Sequence, residues 1–292
     1  MSVWLCIPSK RPPEQVEPVL AKWREMGYRV AVQRDQCEAP PPGWKREDGG
    51  YELWNDTYVH WRPYVGYAEA VNHLAKEILE YDPECDWIVA AGDDTLPDPN
   101  KSAEEIEFEC SGYFCGGYCM IDGKERLGMG PTFGVMQPTG DPWSDRQGRI
   151  IERVAGSPWL GREWCLSANG GRGPLWPEFF HMFADETLQC VAQQLGVFWQ
   201  RPDLTHLHNH WGRPRAVCLT CKIEGTHRYD GSQGQGYYNC DQCGRQFSGP
   251  RLGDVENMPA FLTQANSREE WLKSKKEFER LKADGFRECM PL

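Results

Sequence analysis

Strand-like runs that alternate with helix-like ones constrain this chain more than any other feature. Residues 3–7, Val-Trp-Leu-Cys-Ile, are a short apolar run that stops at Pro8-Ser9-Lys10. Pro12, Pro13 and Glu14 then suit a helix start, because proline is tolerated in the first turn and an acidic side chain faces the positive end of the helix dipole. Val16, Val19, Leu20, Trp23 and Met26 follow at helical spacing, and Gly27 closes the segment. A second apolar run, residues 28–32, ends on Arg34-Asp35. Strand, helix and strand within about thirty residues is a βαβ unit. A helix over 66–81, with Ala68, Val71, Leu74, Ala75, Ile78 and Leu79 on its apolar face, leads to a third core strand, Trp87-Ile88-Val89-Ala90-Ala91, which runs into Gly92-Asp93-Asp94. The expected fold is α/β, a mainly parallel mixed sheet flanked by helices.

The rest of the chain is less regular. Residues 39–50 read as a Pro/Gly loop, two short strands are expected within 112–137, and 138–178, rich in Gly, Pro and Trp, read as a long loop region. A helix over 185–195 ends at Gly196, and strands are expected over 197–199 and 204–211. Residues 267–285 form an amphipathic helix, with Trp271, Phe278 and Leu281 on the face expected to pack on the main domain. The chain thus divides into a main domain over 1–212, a small module over 213–251 and a C-terminal helical segment over 252–292.

A net charge of -11 argues against a nucleic-acid surface spread over the whole chain, though not against a local basic patch. No apolar run reaches the length of a membrane span, and residues 1–6 lack the basic start and apolar stretch of a signal peptide, so a cytoplasmic protein without membrane contact is expected. The 13 Cys are an odd number and mostly scattered, which reads as reduced thiols, Cys110, Cys115 and Cys119 among them as buried ones. The 13 Trp fit a tryptophan-rich core or rings that stack on ligands, and composition does not separate the two.

In a parallel sheet, ligands bind outside the carboxyl ends of the strands. Three polar groups stand at such ends. Pro8, Ser9, Lys10 and Arg11 follow the first strand, placed to meet a nucleotide or its phosphates, and Asp35 ends the second, placed to contact a base or ribose, though ordinary polar surface loops account for these residues almost as well; Asp93 and Asp94 end the third. Adjacent carboxylates at a buried strand end repel each other unless positive charge is near. A hard cation, Mg²⁺ or Mn²⁺, would relieve that and would bring phosphates as further ligands. On its own the pair reads equally well as a solvated acidic turn. His206, His208 and His210 alternate along the last expected strand and so share a face, which favours a site.

Asp93-Asp94-Thr95-Leu96-Pro97-Asp98-Pro99-Asn100 resembles the metal-binding acidic motif of GT-A-fold glycosyltransferases, especially family-2-like ones, with Gly92 where the first acid commonly stands. The resemblance implies a metal-ligand role for Asp94 and a nucleotide or metal contact for Asp93. Gly66-Tyr67-Ala68-Glu69-Ala70-Val71-Asn72 is similar to the helix start that lies against the nucleotide in that family, which implies a nucleotide contact for Asn72. Phe183-Ala184-Asp185-Glu186-Thr187-Leu188 resembles the segment that carries the catalytic base, which falls on Asp185, with Ala184 where an acidic residue is usual. His206-Leu207-His208-Asn209-His210 lies where such enzymes supply a histidine to the metal, with His208 preferred, then His206, then His210. The resemblance covers residues 1–212. It implies a metal-dependent transfer of sugar from a nucleotide sugar, a UDP-sugar favoured, to an acceptor hydroxyl with inversion. The cation would act as a Lewis acid on the leaving diphosphate and Asp185 as general base. Asp185 also reads as an N-cap for the helix that follows.

Cys218-x-x-Cys221 and Cys240-x-x-Cys243 are two knuckles at a spacing that is a strong signal for structural Zn²⁺ in a zinc ribbon. Residues 213–251 carry six Lys and Arg against three Asp and Glu. Such a ribbon could grip a nucleic-acid backbone, or serve as a brace or protein contact. The acceptor reading that follows is a hydroxymethylated pyrimidine in DNA, by analogy with viral DNA-modifying enzymes; a surface glycan or protein side chain is the alternative. The reading from a different class is a non-catalytic zinc-ribbon module that binds nucleic acid or protein, which Gly92 and Ala184 favour.

Overall fold

The computed structural model describes residues 2–35, 51–54, 57–115, 118–121, 124–127, 130–138, 156–204, 207–208, 264–265 and 267–291, with short pieces between 215 and 248. In chain order the main elements are β1 (Ser2–Pro8), α1 (Pro13–Glu25), β2 (Arg29–Asp35), β3 (Tyr51–Trp54), β4 (Thr57–Arg62), α2 (Tyr67–Tyr81), β5 (Cys85–Ala90), β6 (Thr95–Leu96) and α3 (Ala103–Phe114). They continue with β7 (Tyr118–Ile121), β8 (Lys124–Leu127), β9 (Val135–Pro138), β10 (Trp159–Gly161), α4 (Arg162–Gly171), α5 (Ala184–Gln194), β11 (Phe198–Arg201) and β12 (Leu207–His208). The last are β13 (Arg215–Val217), β14 (Glu224–Thr226), β15 (Arg228–Tyr229), β16 (Tyr237–Asn239), β17 (Gln246–Ser248) and α6 (Arg268–Ala283).

One eight-stranded sheet, ordered β11-β9-β10-β5-β1-β2-β4-β3, carries the fold. β1 pairs in parallel with both β2 and β5, and β2 with β4. β10 is antiparallel to both β5 and β9, β11 is parallel to β9, and β3 is antiparallel to β4. The sheet is therefore mainly parallel and mixed, as the alternating pattern predicts. Leu5, Ile7, Val30, Ile88 and Val89 are fully enclosed, which is why the central strands read as unbroken apolar runs. Trp23, Trp87, Trp159 and Trp164 lie among the largest wholly buried side chains, so these tryptophans belong to the core.

The amino edge of the sheet is locked by one carboxylate. Asp82 Oδ2, at the end of α2, accepts hydrogen bonds from Ser2 Oγ at 2.6 Å, Trp4 Nε1 at 2.9 Å and Arg29 Nη1 at 2.8 Å. Burial opposes its ionisation, but the bonds from Ser2 and Trp4, the Glu84 amide and the Arg29 charge together hold it below the usual aspartate range.

Several elements depart from the sequence expectation. Residues 138–178 are not loop throughout: β10 inserts between β5 and β9, and α4 follows it directly. β10 escapes notice because it is three residues long, below the span in which alternation is readable. α3 has weak apolar periodicity, with Glu107 on its buried face, yet its start is marked by a capping box in which Ser102 and Glu105 satisfy each other's backbone amides. Cys115, expected buried, is exposed just beyond α3. Of the expected strand over 204–211, Leu207–His208 form β12, and 205–206 and 209–211 lie outside the described residues. Phe278 of α6 stacks on Phe183 at 5.2 Å, and Glu277 Oε1 accepts from Trp176 Nε1 at 3.0 Å.

Candidate active site

The carboxyl ends of β1, β2 and β5 bring the sequence-selected polar groups together. Pro8 closes β1 opposite Gln33, and the Ser9 amide donates to the Gln33 carbonyl at 3.0 Å, which ties the following loop to β2. Ser9 Oγ donates to Asp93 Oδ2 at 2.6 Å. Arg11 reaches both acids, with Nε 3.0 Å from Asp93 Oδ1 and Nη2 3.4 Å from Asp94 Oδ2. Its backbone is held separately: the amide donates to Ser9 Oγ at 3.3 Å and the carbonyl accepts from Arg34 Nη1. Lys10 Nζ pairs with Asp35 Oδ2 at 3.0 Å.

The acidic pair is enclosed, with 9% of each aspartate exposed. Burial pushes the Asp93 carboxyl above its ordinary value; Arg11 and Ser9 pull it back in part, and the neighbouring Asp94 charge adds to the rise. Thr95 Oγ1, next in sequence, is buried without a hydrogen-bond partner. Two carboxylates and an unused hydroxyl are oxygen donors of the kind a hard cation takes.

A second wall faces this edge. Gly66 caps α2 with φ 130°, and a β-carbon there would lie 2.9 Å from the Phe180 carbonyl oxygen. The close approach lets the Tyr67 amide donate to that carbonyl at 2.6 Å. Tyr64 meets Phe180 edge-on at 5.7 Å, and Tyr67 meets His181 in the same way at 5.9 Å. Burial and the Asp93 charge push the Tyr64 phenol up to about 12. Burial, then Asp185, Tyr64 and Asp94, push Tyr67 well above its ordinary value. The charges of Asp94, in the turn after β5, and Asp185, on α5, therefore act on one phenol, which remains a neutral hydrogen-bond donor at physiological pH.

The remaining selected residues fare differently. His208 lies on β12, where it pairs with Thr95 while Leu207 pairs with Leu96, so its backbone runs beside the residue that follows Asp94. His206 and His210 lie outside the described residues, as do Cys218 and Cys240. Among the described residues no group of three His, Cys, Asp or Glu is arranged to hold a metal ion. Asn72, expected against a nucleotide, is buried and bound to the loop after α4: Nδ2 donates to the Leu175 carbonyl at 2.8 Å and Oδ1 accepts from the Leu175 amide at 2.9 Å. A β-carbon at Gly173 would meet Asn72 Cγ at 2.6 Å, so the chain passes directly over this amide. Asp185 is not the helix cap: Phe183 occupies that position in a left-handed conformation, φ 70°, and Asp185 sits in the first turn. Tyr64, Tyr67, Phe180 and His181 were not selected from the sequence, although a glycine between two tyrosines at a helix start was a visible sign of close packing.

No family model and no curated protein matches this sequence. Among solved structures, the chain is similar to a glycosyltransferase involved in the glycosylation of the major capsid of PBCV-1, at 11% identity over 56% of this chain and 61% of that one, with a TM-score of 0.28. It is also similar to a Drosophila β1,4-galactosyltransferase 7 mutant in complex with manganese, UDP-Gal and xylobiose, at 12% identity over 72% of this chain and 71% of that one, with a TM-score of 0.34. The chain spans 61% of the length of the first of these. Among the described residues no helix is long and apolar enough to cross a membrane.

Proposed function

We propose that this chain is a divalent-metal-dependent glycosyltransferase that moves a sugar from a nucleotide sugar, a UDP-sugar favoured, to an acceptor hydroxyl. The observation that carries the reading is the enclosed Asp93-Asp94 pair at the carboxyl end of β5, braced by Ser9 and Arg11 and flanked by the backbone of His208. Asp94 and His208, with His206 as the alternative, would hold Mn²⁺ or Mg²⁺, and Asp93 would contact the nucleotide or the ion. When bound, the ion supplies Lewis-acid stabilisation of the leaving diphosphate. Pro8, Ser9, Arg11 and Asp35 line the ends of the first two strands, where the nucleotide would lie. Asn72 acts from behind, by fixing the loop that leads to Phe180 and His181. Asp185 would take the proton from the acceptor hydroxyl, and attack with that base on the far side of the sugar inverts the anomeric centre. Tyr67, kept neutral, can donate a hydrogen bond between the two acidic positions.

The module over 213–251 is read as a structural zinc ribbon with Cys218, Cys221, Cys240 and Cys243 as ligands. In support, both Cys-x-x-Cys pairs fall in the connection of an antiparallel hairpin, β13 to β14 and β16 to β17. Its basic balance would suit a nucleic-acid backbone, and DNA carrying a hydroxymethylated pyrimidine is the acceptor proposed by analogy, with a surface glycan or protein as the alternative.

Thermal shift with nucleoside diphosphates and Mn²⁺, followed by a donor screen that reads nucleotide-sugar hydrolysis, tests the reading. The expected result is a Mn²⁺-dependent shift with at least one nucleoside diphosphate. A flat response to all of them overturns the assignment. Transfer assayed on hydroxymethylated against plain duplexes decides the acceptor.

A further inference from the structure

Arg11 presents an arrangement that nucleotide binding alone does not require. Its guanidinium lies against both carboxylates but bonds them unevenly: Nη2 donates to Asp94 Oδ2 at 3.4 Å, whereas Nε, although 3.0 Å from Asp93 Oδ1, is buried without a hydrogen bond. Its backbone is pinned on both sides by Ser9 and Arg34, so the side chain can pivot without moving the loop. About a quarter of that side chain is exposed, 25% against 11% and 10% for the two aspartates, which places it at the mouth of the acidic pair. A divalent ion on these same oxygens and a guanidinium within 3.4 Å of them would repel each other strongly in such an enclosed place.

We propose that Arg11 is an internal counter-ion: it closes the acidic pair in the unloaded protein, the divalent ion displaces it, and the freed guanidinium turns to the diphosphate of the incoming nucleotide. Loading is then an exchange of partners. The carboxylates trade Arg11 for the ion, and Arg11 trades the carboxylates for phosphate. Arg11 lowers the affinity for the ion alone and makes ion and nucleotide bind cooperatively, since each removes a penalty from the other. The inference rests on the reading of Asp93-Asp94 as a cation site.

The test is Mn²⁺ binding to the full chain, read by the electron paramagnetic resonance of free Mn²⁺, with and without saturating UDP. Wild type, Arg11→Ala and Arg11→Gln are compared, and thermal melts verify that each is folded. Without UDP, both variants are expected to bind Mn²⁺ about tenfold more tightly than wild type, and UDP is expected to tighten Mn²⁺ binding in wild type far more than in the variants. Mn²⁺ should also raise the variants' Tm more than the wild type's. If Mn²⁺ binds all three proteins equally in the absence of UDP, the counter-ion role is overturned while the cation site stands. If none binds Mn²⁺ in either condition, the cation site itself is wrong and the exchange falls with it.

Discussion

The carboxylate of Asp94 folds back against Gly92, so closely that a β-carbon at residue 92 would lie 2.7 Å from Asp94 Oδ1. Gly92 is therefore a steric condition for where Asp94 points. Gly92→Asp is expected to push the Asp94 carboxylate aside and to weaken Mn²⁺ binding, although it adds a third carboxylate. The colliding atom is the mobile end of a side chain, so the melting temperature should change little. Calorimetric titration with Mn²⁺ and UDP checks this, and tighter binding by the variant would contradict it.

Asp185→Asn is expected to lower transfer by a factor of about 10²–10⁴ while nucleotide affinity stays near that of wild type. The side chain sits in the first turn of α5 and does not cap it, so the helix keeps its start. Single-turnover transfer and a parallel nucleotide titration separate the two quantities. Unchanged turnover would remove Asp185 from the chemistry.

Asp82→Ala should destabilise the fold without touching the site. The change strands the indole N–H of Trp4 and the hydroxyl of Ser2 at the amino edge, and leaving a buried donor unsatisfied costs about 1–3 kcal/mol. Because folding holds the Asp82 carboxyl below its ordinary value of 3.8, its contribution is present above that pH and fades as pH falls through the folded value. Urea denaturation at pH 7 and pH 3.5 measures this, with a smaller gap between variant and wild type at the lower pH.

His73 on α2 and His60 on β4 lie 5.6 Å apart, and burial, then Arg62, His60 and Lys76, push His73 down to about 4. The unfolded chain takes this proton near pH 6.5 and the folded chain only near 4, so stability holds above pH 6.5 and declines as pH falls between those values. His60 is lowered as well, mainly by burial, and adds to the same slope; Glu77 opposes it and Arg62 supports it. His73→Phe is expected to flatten the decline, as read from denaturation midpoints at pH 7.5, 6 and 5. An unchanged slope would exclude His73 as its source.

How far the sequence reached depended on what kind of interaction fixed each residue. β1, α1, β2, α2 and β5 were legible because their apolar residues repeat over whole elements and are buried as those patterns require. β10 was not, since its place is set by pairing with β5 and β9, and by a backbone approach in which a β-carbon at Gly161 would lie 1.8 Å from the Thr132 carbonyl oxygen. At the site, Ser9, Arg11, Asp93 and Asp94 were legible as strand-end residues and do converge. Asn72 was selected by motif, but its partner, Leu175, lies 103 residues away and leaves no local trace. The cap of α5 was misplaced because Phe183 adopts a left-handed conformation that its side chain does not advertise.

β5 is also a seam in time. The strands on one side of it, β1 to β4, all lie within the first 62 residues, whereas its other neighbour begins only at Trp159. At about 5–20 residues per second, a ribosome leaves several seconds between the two. Until then Trp87, Ile88 and Val89 lack the partner they have in the folded sheet, and an unpaired apolar strand edge is the kind that recruits other chains. Slow translation or early termination before residue 159 should therefore favour aggregation, and the chain depends on prompt arrival of three residues, Trp159-Leu160-Gly161, to seal it.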